Sequence, residues 1–108
     1  MIVIVFRSRL RPELGDEYAA LADRMSELAR TMPGYVSEKN FVAEDGERVT
    51  IVEFENKEGL RAWRTNPEHL AAQRLARQKY YTEYHVQVCT LTRESKFKAP
   101  EAAELAQG

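Results

Sequence analysis

Apolar positions along this chain change period several times, and each change marks an element. The opening stretch Ile2–Arg9 alternates with a period of two: Ile2, Ile4, Phe6 and Ser8 point one way, Val3, Val5, Arg7 and Arg9 the other. Both sets begin apolar, so the strand they predict needs cover on both faces. Pro12 and Gly15 break the pattern and predict a turn over Leu10–Gly15. Tyr18, Leu21, Ala22, Met25, Leu28, Ala29 and Met32 then recur at helical spacing, with Asp23, Arg24, Glu27 and Arg30 opposite. Asp16 suits the first turn of that helix, where a negative charge meets the positive dipole end. Pro33-Gly34 stops it.

Period two returns in Tyr35–Ala43, with Tyr35, Ser37, Lys39 and Phe41 on one face and Val36, Glu38, Asn40 and Val42 on the other. Asp45-Gly46 is a hairpin signal. Arg48–Glu55 returns beside it, Val49 and Ile51 facing away from Thr50, Val52 and Phe54. Asn56 is a natural cap for a short helix, Lys57–Arg64, that carries Leu60 and Trp63 on one side. Gly59 inside it marks a place where another backbone comes close. Asn66-Pro67-Glu68 restarts a helix, cap first and proline at the first helical position. Leu70, Ala71, Leu75 and Gln78 are its expected inner side. The last strand is Thr82–Arg93, where Tyr84, Val86, Val88, Thr90 and Thr92 alternate with His85, Gln87, Cys89, Leu91 and Arg93. From Glu94 on, with Pro100 and an Ala/Glu-rich end, the pattern fits a short helix or a mobile tail.

Strand, helix, strand, strand, helix, strand is the order of the split βαβ, ferredoxin-like plan. The fold class expected is α+β: a four-stranded antiparallel sheet with helices on one face. Helices of this plan cover one face only, yet the strands are apolar on both. The second face predicts a second copy of the chain and hence a homodimer.

A length of 108 residues allows one domain, here 1–97 with a tail over 98–108. A net charge of -1 argues against a nucleic-acid partner. The start MIVIVF is short and has no basic lead, and no long apolar run follows, so neither a signal peptide nor membrane association is expected and the location expected is cytoplasmic. Cys89 is the single cysteine, which excludes an intrachain disulfide, and burial as an inert thiol is its expected state. His69 and His85 with no cysteine pair make no zinc pattern, and no glycine-rich phosphate loop is present.

The element order, the Pro33-Gly34 link, the segment Trp63-Arg-Thr-Asn-Pro-Glu-His69 and the Tyr80-Tyr81 pair before the last strand resemble the antibiotic biosynthesis monooxygenase (ABM) domain. That family belongs to the dimeric α+β barrel superfamily. The resemblance implies a pocket between helices and sheet of one protomer. It also implies one of several activities: cofactor-free oxidation of phenols or anthrones, quinol oxidation, haem degradation, or handling of small signalling molecules. Trp63 matches the family's pocket tryptophan, and His69 stands where a histidine or aromatic residue often follows it. The haem degraders' first-strand asparagine and second-helix histidine fall on Arg7 and Gln73. Without an imidazole at Gln73, axial ligation of iron is disfavoured.

Two readings follow. In the first the chain is a cofactor-independent monooxygenase of a phenolic or quinol-type aromatic, with His69 as base and Trp63 orienting the ring; the scheme requires neither flavin nor metal. Trp63, Arg7, Tyr81 and Phe54 are the candidate substrate contacts. In the second the same fold is a non-catalytic small-molecule-binding or stress-response dimer. Each residue also has a plain structural role: Trp63 as core anchor, Tyr80, Tyr81 and Tyr84 as a packing cluster, Arg7 in an ion pair with a glutamate such as Glu53, His85 at the dimer layer or surface.

Overall fold

The computed structural model describes residues 1–102. In chain order it contains β1 (Ile2–Leu10), a 3-10 turn (Pro12–Leu14), α1 (Gly15–Ala29), β2 (Tyr35–Val42), β3 (Arg48–Phe54), α2 (Lys57–Thr65), α3 (Pro67–Lys79) and β4 (Tyr81–Thr90). The strands form one antiparallel sheet in the order β2-β3-β1-β4. This is the ferredoxin-like plan, with β1 and β3 central and all three helices on one face.

The register sorts the strands into cross-sheet rows. On the helix face these are Tyr35–Phe54–Ile2–Thr90, then Glu38–Val52–Ile4–Val88, Asn40–Thr50–Phe6–Val86, and Val42–Arg48–Ser8–Tyr84. The first two rows carry the core: Ile2, Ile4, Val52 and Phe54 pack with Ala29, Leu60 and Trp63. A bulge between Tyr35 and Ser37 corrects the expected pairing of β2 faces. Tyr35 joins Phe54 on the helix face, edge to its ring at 6.2 Å between centroids, while Ser37 faces away and donates to Glu53. The extra residue reverses the alternation from there on.

Asparagines place the two short helices. Asn56 Oδ1 accepts from Gly59 N at 3.0 Å, and Asn66 Oδ1 accepts from the amides of Glu68 at 2.9 Å and His69 at 3.1 Å. Each satisfies donors that a helix start leaves free. Gly59 lies against the Pro33 carbonyl and the Phe54 ring, the close approach its sequence position suggested. Two ion pairs tie α1 to α3, Arg24 with Glu68 at 2.6 Å and Lys79 with Glu17 at 2.7 Å.

That orientation of α3 corrects the inner side expected for it. Ala72 and Ala76 are buried, whereas Leu70 is 36% and Leu75 41% exposed. The stripe turned to the sheet is His69, Ala72, Gln73 and Ala76. The leucines are larger, but the Asn66 cap and the pairs to α1 fix the rotation of the helix.

Val3, Val5, Val49 and Ile51 lie half-buried on the opposite sheet face, which no described helix covers. Cys89 is on that face of edge strand β4 and is exposed, against the expectation of burial, because none of the described helices lies over that face. β4 also ends at Thr90, earlier than expected. Residues 91–101 have no regular structure, and the remainder of the expected tail, from 103, lies outside the described residues. Among the described residues no helix is long and apolar enough to cross a membrane.

Candidate functional site

A cavity of about 360 Å³ lies between the helices and the sheet, within the range of small-molecule pockets. Its floor is the inner rows, Ile4, Phe6, Thr50, Val52, Val86 and Val88; its roof is α1 and α3, with Tyr18, Ala22 and Met25 on one and His69, Ala72, Gln73 and Ala76 on the other. Trp63 and Leu60 of α2 close the core end. The lining is mostly apolar, with a few polar groups that can orient a guest.

Trp63 is 9% exposed, so it is both a core anchor and a cavity wall. His69 stacks on it, with ring centroids 3.7 Å apart and planes 14° from parallel. The chain builds this pair from its local sequence: Trp63 lies in the last turn of α2, Asn66 turns the backbone, and the capped first turn of α3 returns His69 over the indole. His69 Nδ1 is 2.9 Å from the Trp63 carbonyl oxygen. A carbonyl only accepts, so Nδ1 carries the hydrogen and Nε2 has the lone pair. Burial lowers the His69 pKa below its ordinary 6.5, opposed by the bond to the Trp63 carbonyl. Desolvation, the larger of the two effects, thus favours the neutral ring. Nε2 is met by the Gln73 amide nitrogen at 3.4 Å, a long contact in which Gln73 donates. The acceptor atom of this ring lies on the cavity side of α3.

The other end of the cavity holds tyrosines. The Tyr18 and Tyr81 hydroxyls are 2.8 Å apart, and Tyr81 also packs against Phe6 and Tyr84 at 5.6 and 5.8 Å between centroids. Burial pushes the Tyr81 phenol far above the ordinary tyrosine range, so it stays protonated and can donate. Tyr80 is buried behind this cluster.

Of the residues singled out from sequence, Trp63, His69 and Tyr81 meet in the cavity. Phe54 does not: it is fully buried beneath Gly59 as core. Arg7 is on the opposite sheet face, where it pairs with Glu47 at 3.0 Å and not with Glu53. Glu47 arrives from the hairpin beside β3, while Glu53 is taken by Ser37. The cavity side of β1 is Ile4, Phe6 and Ser8, so Arg7 does not occupy an asparagine-like position in the pocket. His85 is exposed on the same face as Arg7. Sequence reasoning missed Tyr18, Asn40, Arg48 and Arg77, which also line the cavity. Strand parity could have found Arg48, which alternates in step with Thr50, Val52 and Phe54. Helical spacing could have found Arg77, eight residues on from His69 through Gln73. Among the described residues no group of three His, Cys, Asp or Glu side chains could hold a metal.

Comparison with known proteins places this geometry. The Bacillus subtilis (strain 168) protein YqjZ is 29% identical over 94 residues, covering 87% of this chain and 82% of that protein. Among solved structures, Rv0793 from Mycobacterium tuberculosis superimposes with a TM-score of 0.77 at 22% identity, over 88% of this chain and 98% of that one. SnoaB, a cofactor-independent oxygenase from Streptomyces nogalater, superimposes with a TM-score of 0.74 at 16% identity, over 86% of this chain and 94% of that one. These likenesses concern the fold. The family model for antibiotic biosynthesis monooxygenase matches residues 1–75, from the first strand through most of α3 and including both Trp63 and His69, and the chain belongs to that family.

Proposed function

We propose that the protein is a cofactor-independent monooxygenase of a phenolic or quinol-type aromatic. The observation that carries this reading is the Trp63–His69 stack, in which a neutral imidazole presents Nε2 to an apolar cavity. An electron-rich hydroxyarene lying beside Trp63 gives its phenolic proton to His69 Nε2. The resulting anion passes one electron to dioxygen, giving a substrate radical and superoxide. These combine at a ring carbon that carries hydrogen, forming a peroxide. Loss of that hydrogen as a proton, with cleavage of the O–O bond, leaves a carbonyl on the ring and releases the second oxygen as water. The protein supplies the base, the orientation and an enclosure that limits water. Trp63, one face of which His69 covers, borders the space for the ring, and its indole N–H, which makes no hydrogen bond among the described residues, is available to a substrate oxygen.

The test is dioxygen consumption with a panel of quinols, naphthols and anthrones. Uptake with stoichiometric quinone, lost in His69→Gln, is the expected result. Saturable binding with no uptake from any compound would overturn the oxygenase reading and leave a small-molecule-binding protein. One observation favours that second reading: the Gln73 amide already engages the lone pair the base must use. Gln73 also stands where a haem ligand would be required, which keeps haem degradation behind both.

The assembly belongs to the same proposal. The uncovered sheet face, with Val3, Val5, Val49 and Ile51 half-buried and Phe41 47% exposed, fits a two-fold homodimer packed sheet to sheet. Light scattering is expected to give twice the chain mass, and a stable monomer would overturn it.

A further inference from the structure

We propose that the end of the cavity away from His69 is an anion subsite, in which Arg48 and Arg77 take a carboxylate of the aromatic substrate. The inference rests on the reading of the cavity as a substrate pocket and adds the class of substrate: hydroxyarenes acidic at the end opposite the reacting hydroxyl.

Three observations carry it. First, position: Arg48 lies in the row Arg48–Ser8–Tyr84, two rows from Val52 of the core end, about 13 Å along the strands. Arg77 lies two helical turns beyond His69 on the same stripe of α3, about 12 Å along the axis, and its guanidinium is 3.5 Å from the Tyr84 hydroxyl of that same row. Base and cations thus stand at opposite ends of one cavity. Second, pairing: the other arginines of the sheet, Arg7 and Arg9, are held by carboxylates. Among the described residues Arg48 has no carboxylate partner and lies over the Tyr18 ring, 5.8 Å from its centroid; Arg77 has none among them either. Of the carboxylates in the lining, Glu38 is two rows from Arg48 and accepts from Ser26, and Asp23 makes no ion pair with either arginine. Third, neutral donors: Ser8, between Arg48 and Tyr84, is 3% exposed and its hydroxyl has no partner among the described residues. In the Tyr18–Tyr81 pair one hydroxyl donates to the other, and the accepting one keeps its own hydrogen free. Two guanidiniums and two spare hydroxyl donors around one end suit an anion, and a carboxylate accepts several such bonds.

The experiment is calorimetric titration with a naphthol that bears a carboxylate at the opposite end of its ring pair, with its methyl ester, and with the isomer whose two groups are adjacent. Wild type, Arg48→Gln, Arg77→Gln and the double variant are compared; both side chains are exposed, so the fold tolerates their loss. The opposed acid is expected to bind at least about tenfold tighter than its ester and than the adjacent isomer. Each single variant should erode that preference and the double variant abolish it, with ester binding reduced by a smaller factor than acid binding. Equal binding of acid and ester to wild type would overturn the subsite and leave the pocket standing. A preference that survives in the double variant would overturn the assignment to these two arginines and move it to Arg64, beside Trp63. No binding of any of the three compounds would overturn the pocket reading together with the subsite, whereas oxygen uptake is measured separately and decides the chemistry.

Discussion

Gly59→Ala tests how α2, and with it Trp63, is seated. On an open helix surface this substitution would stabilise by about 1 kcal/mol, since alanine loses less backbone freedom. Here a Cβ would run into the Pro33 carbonyl oxygen and come within 3.0 Å of Phe54 Cδ1. Neither neighbour yields easily. The Pro33-Gly34 link is held by Gly34 in the left-handed region at φ 77 and by the Glu55 amide donating to the Gly34 carbonyl at 2.8 Å. Phe54 is fully buried. Overpacking of this kind costs about 1–3 kcal/mol, and backbone contact places it at the upper end. Net of the propensity gain, a loss of about 2 kcal/mol is expected, a fall in Tm of roughly 10 °C for a domain this size. Gly15→Ala is the internal control: its added Cβ meets nothing within 4 Å, its φ of -58 is ordinary, and it should gain about 0.4–1 kcal/mol. Thermal unfolding followed by circular dichroism reads both. Trp63, one turn beyond Gly59, should also shift its emission to the red in Gly59→Ala as α2 lifts. A Tm at or above wild type would refute the reasoning, because it would mean that the link moves aside without cost.

His69→Gln should lower kcat/KM by about a hundredfold or more if the imidazole is the base, with a smaller change in binding of a non-reactive aromatic. Its lowered pKa also makes a stability prediction. Above 6.5 both folded and unfolded chains hold a neutral ring, and the group contributes no pH dependence. As pH falls below that value the unfolded chain takes up the proton first, so stability drops, and the drop levels off once the folded ring also protonates. The wild-type-minus-variant difference in unfolding free energy, measured by urea titration from neutral to acid pH, should carry that slope; a flat difference would mean the ring is not buried as described. Asn66→Ala should cost about 1 kcal/mol and, by loosening the first turn of α3, reduce activity through misplacement of His69. If the proposed sheet-to-sheet dimer forms, Val5→Glu or Ile51→Lys on the uncovered sheet face should halve the mass seen in light scattering while leaving each chain folded; a wild-type dimer mass that neither change lowers would overturn that contact.

Strand and helix existence was legible because alternation, caps and breakers all agreed: Asn56, Asn66-Pro67, Pro33-Gly34 and Asp45-Gly46 each fell where an element begins or ends. What failed was facing. On β2 a single bulged residue exchanged the two faces, and no residue type announces a bulge when the flanking positions are all compatible with a strand. On α3 hydrophobicity pointed to Leu70 and Leu75, but the helix turns its alanines inward. The rotation is set by polar features, the cap and the two ion pairs, which reach residues distant in sequence. Arg7 illustrates the same limit. Its parity on β1 was read correctly, but only pairing with β3 and the hairpin could show that Glu47, not Glu53, reaches it.

The misread face of α3 is also the reason a cavity exists. A helix presenting Leu70 and Leu75 to the sheet would fill the space over Phe6, Val86 and Val88, and the core would continue to the last row. Presenting Ala72 and Ala76 leaves that space open, with Ala22 across from them on α1. Interiors normally pack to crystal-like density, so small side chains on two facing helices over an apolar floor are not what stability alone would select. The cost shows on the floor itself, where Val86 and Val88 are about half exposed, at 46% and 52%. The groups that interrupt this apolar space, His69 and Gln73 at one end and Arg48, Ser8 and the tyrosines at the other, are then placed to hold something. A space lined by alanines and bounded by polar groups at both ends is what the elongated aromatic acid proposed above would need.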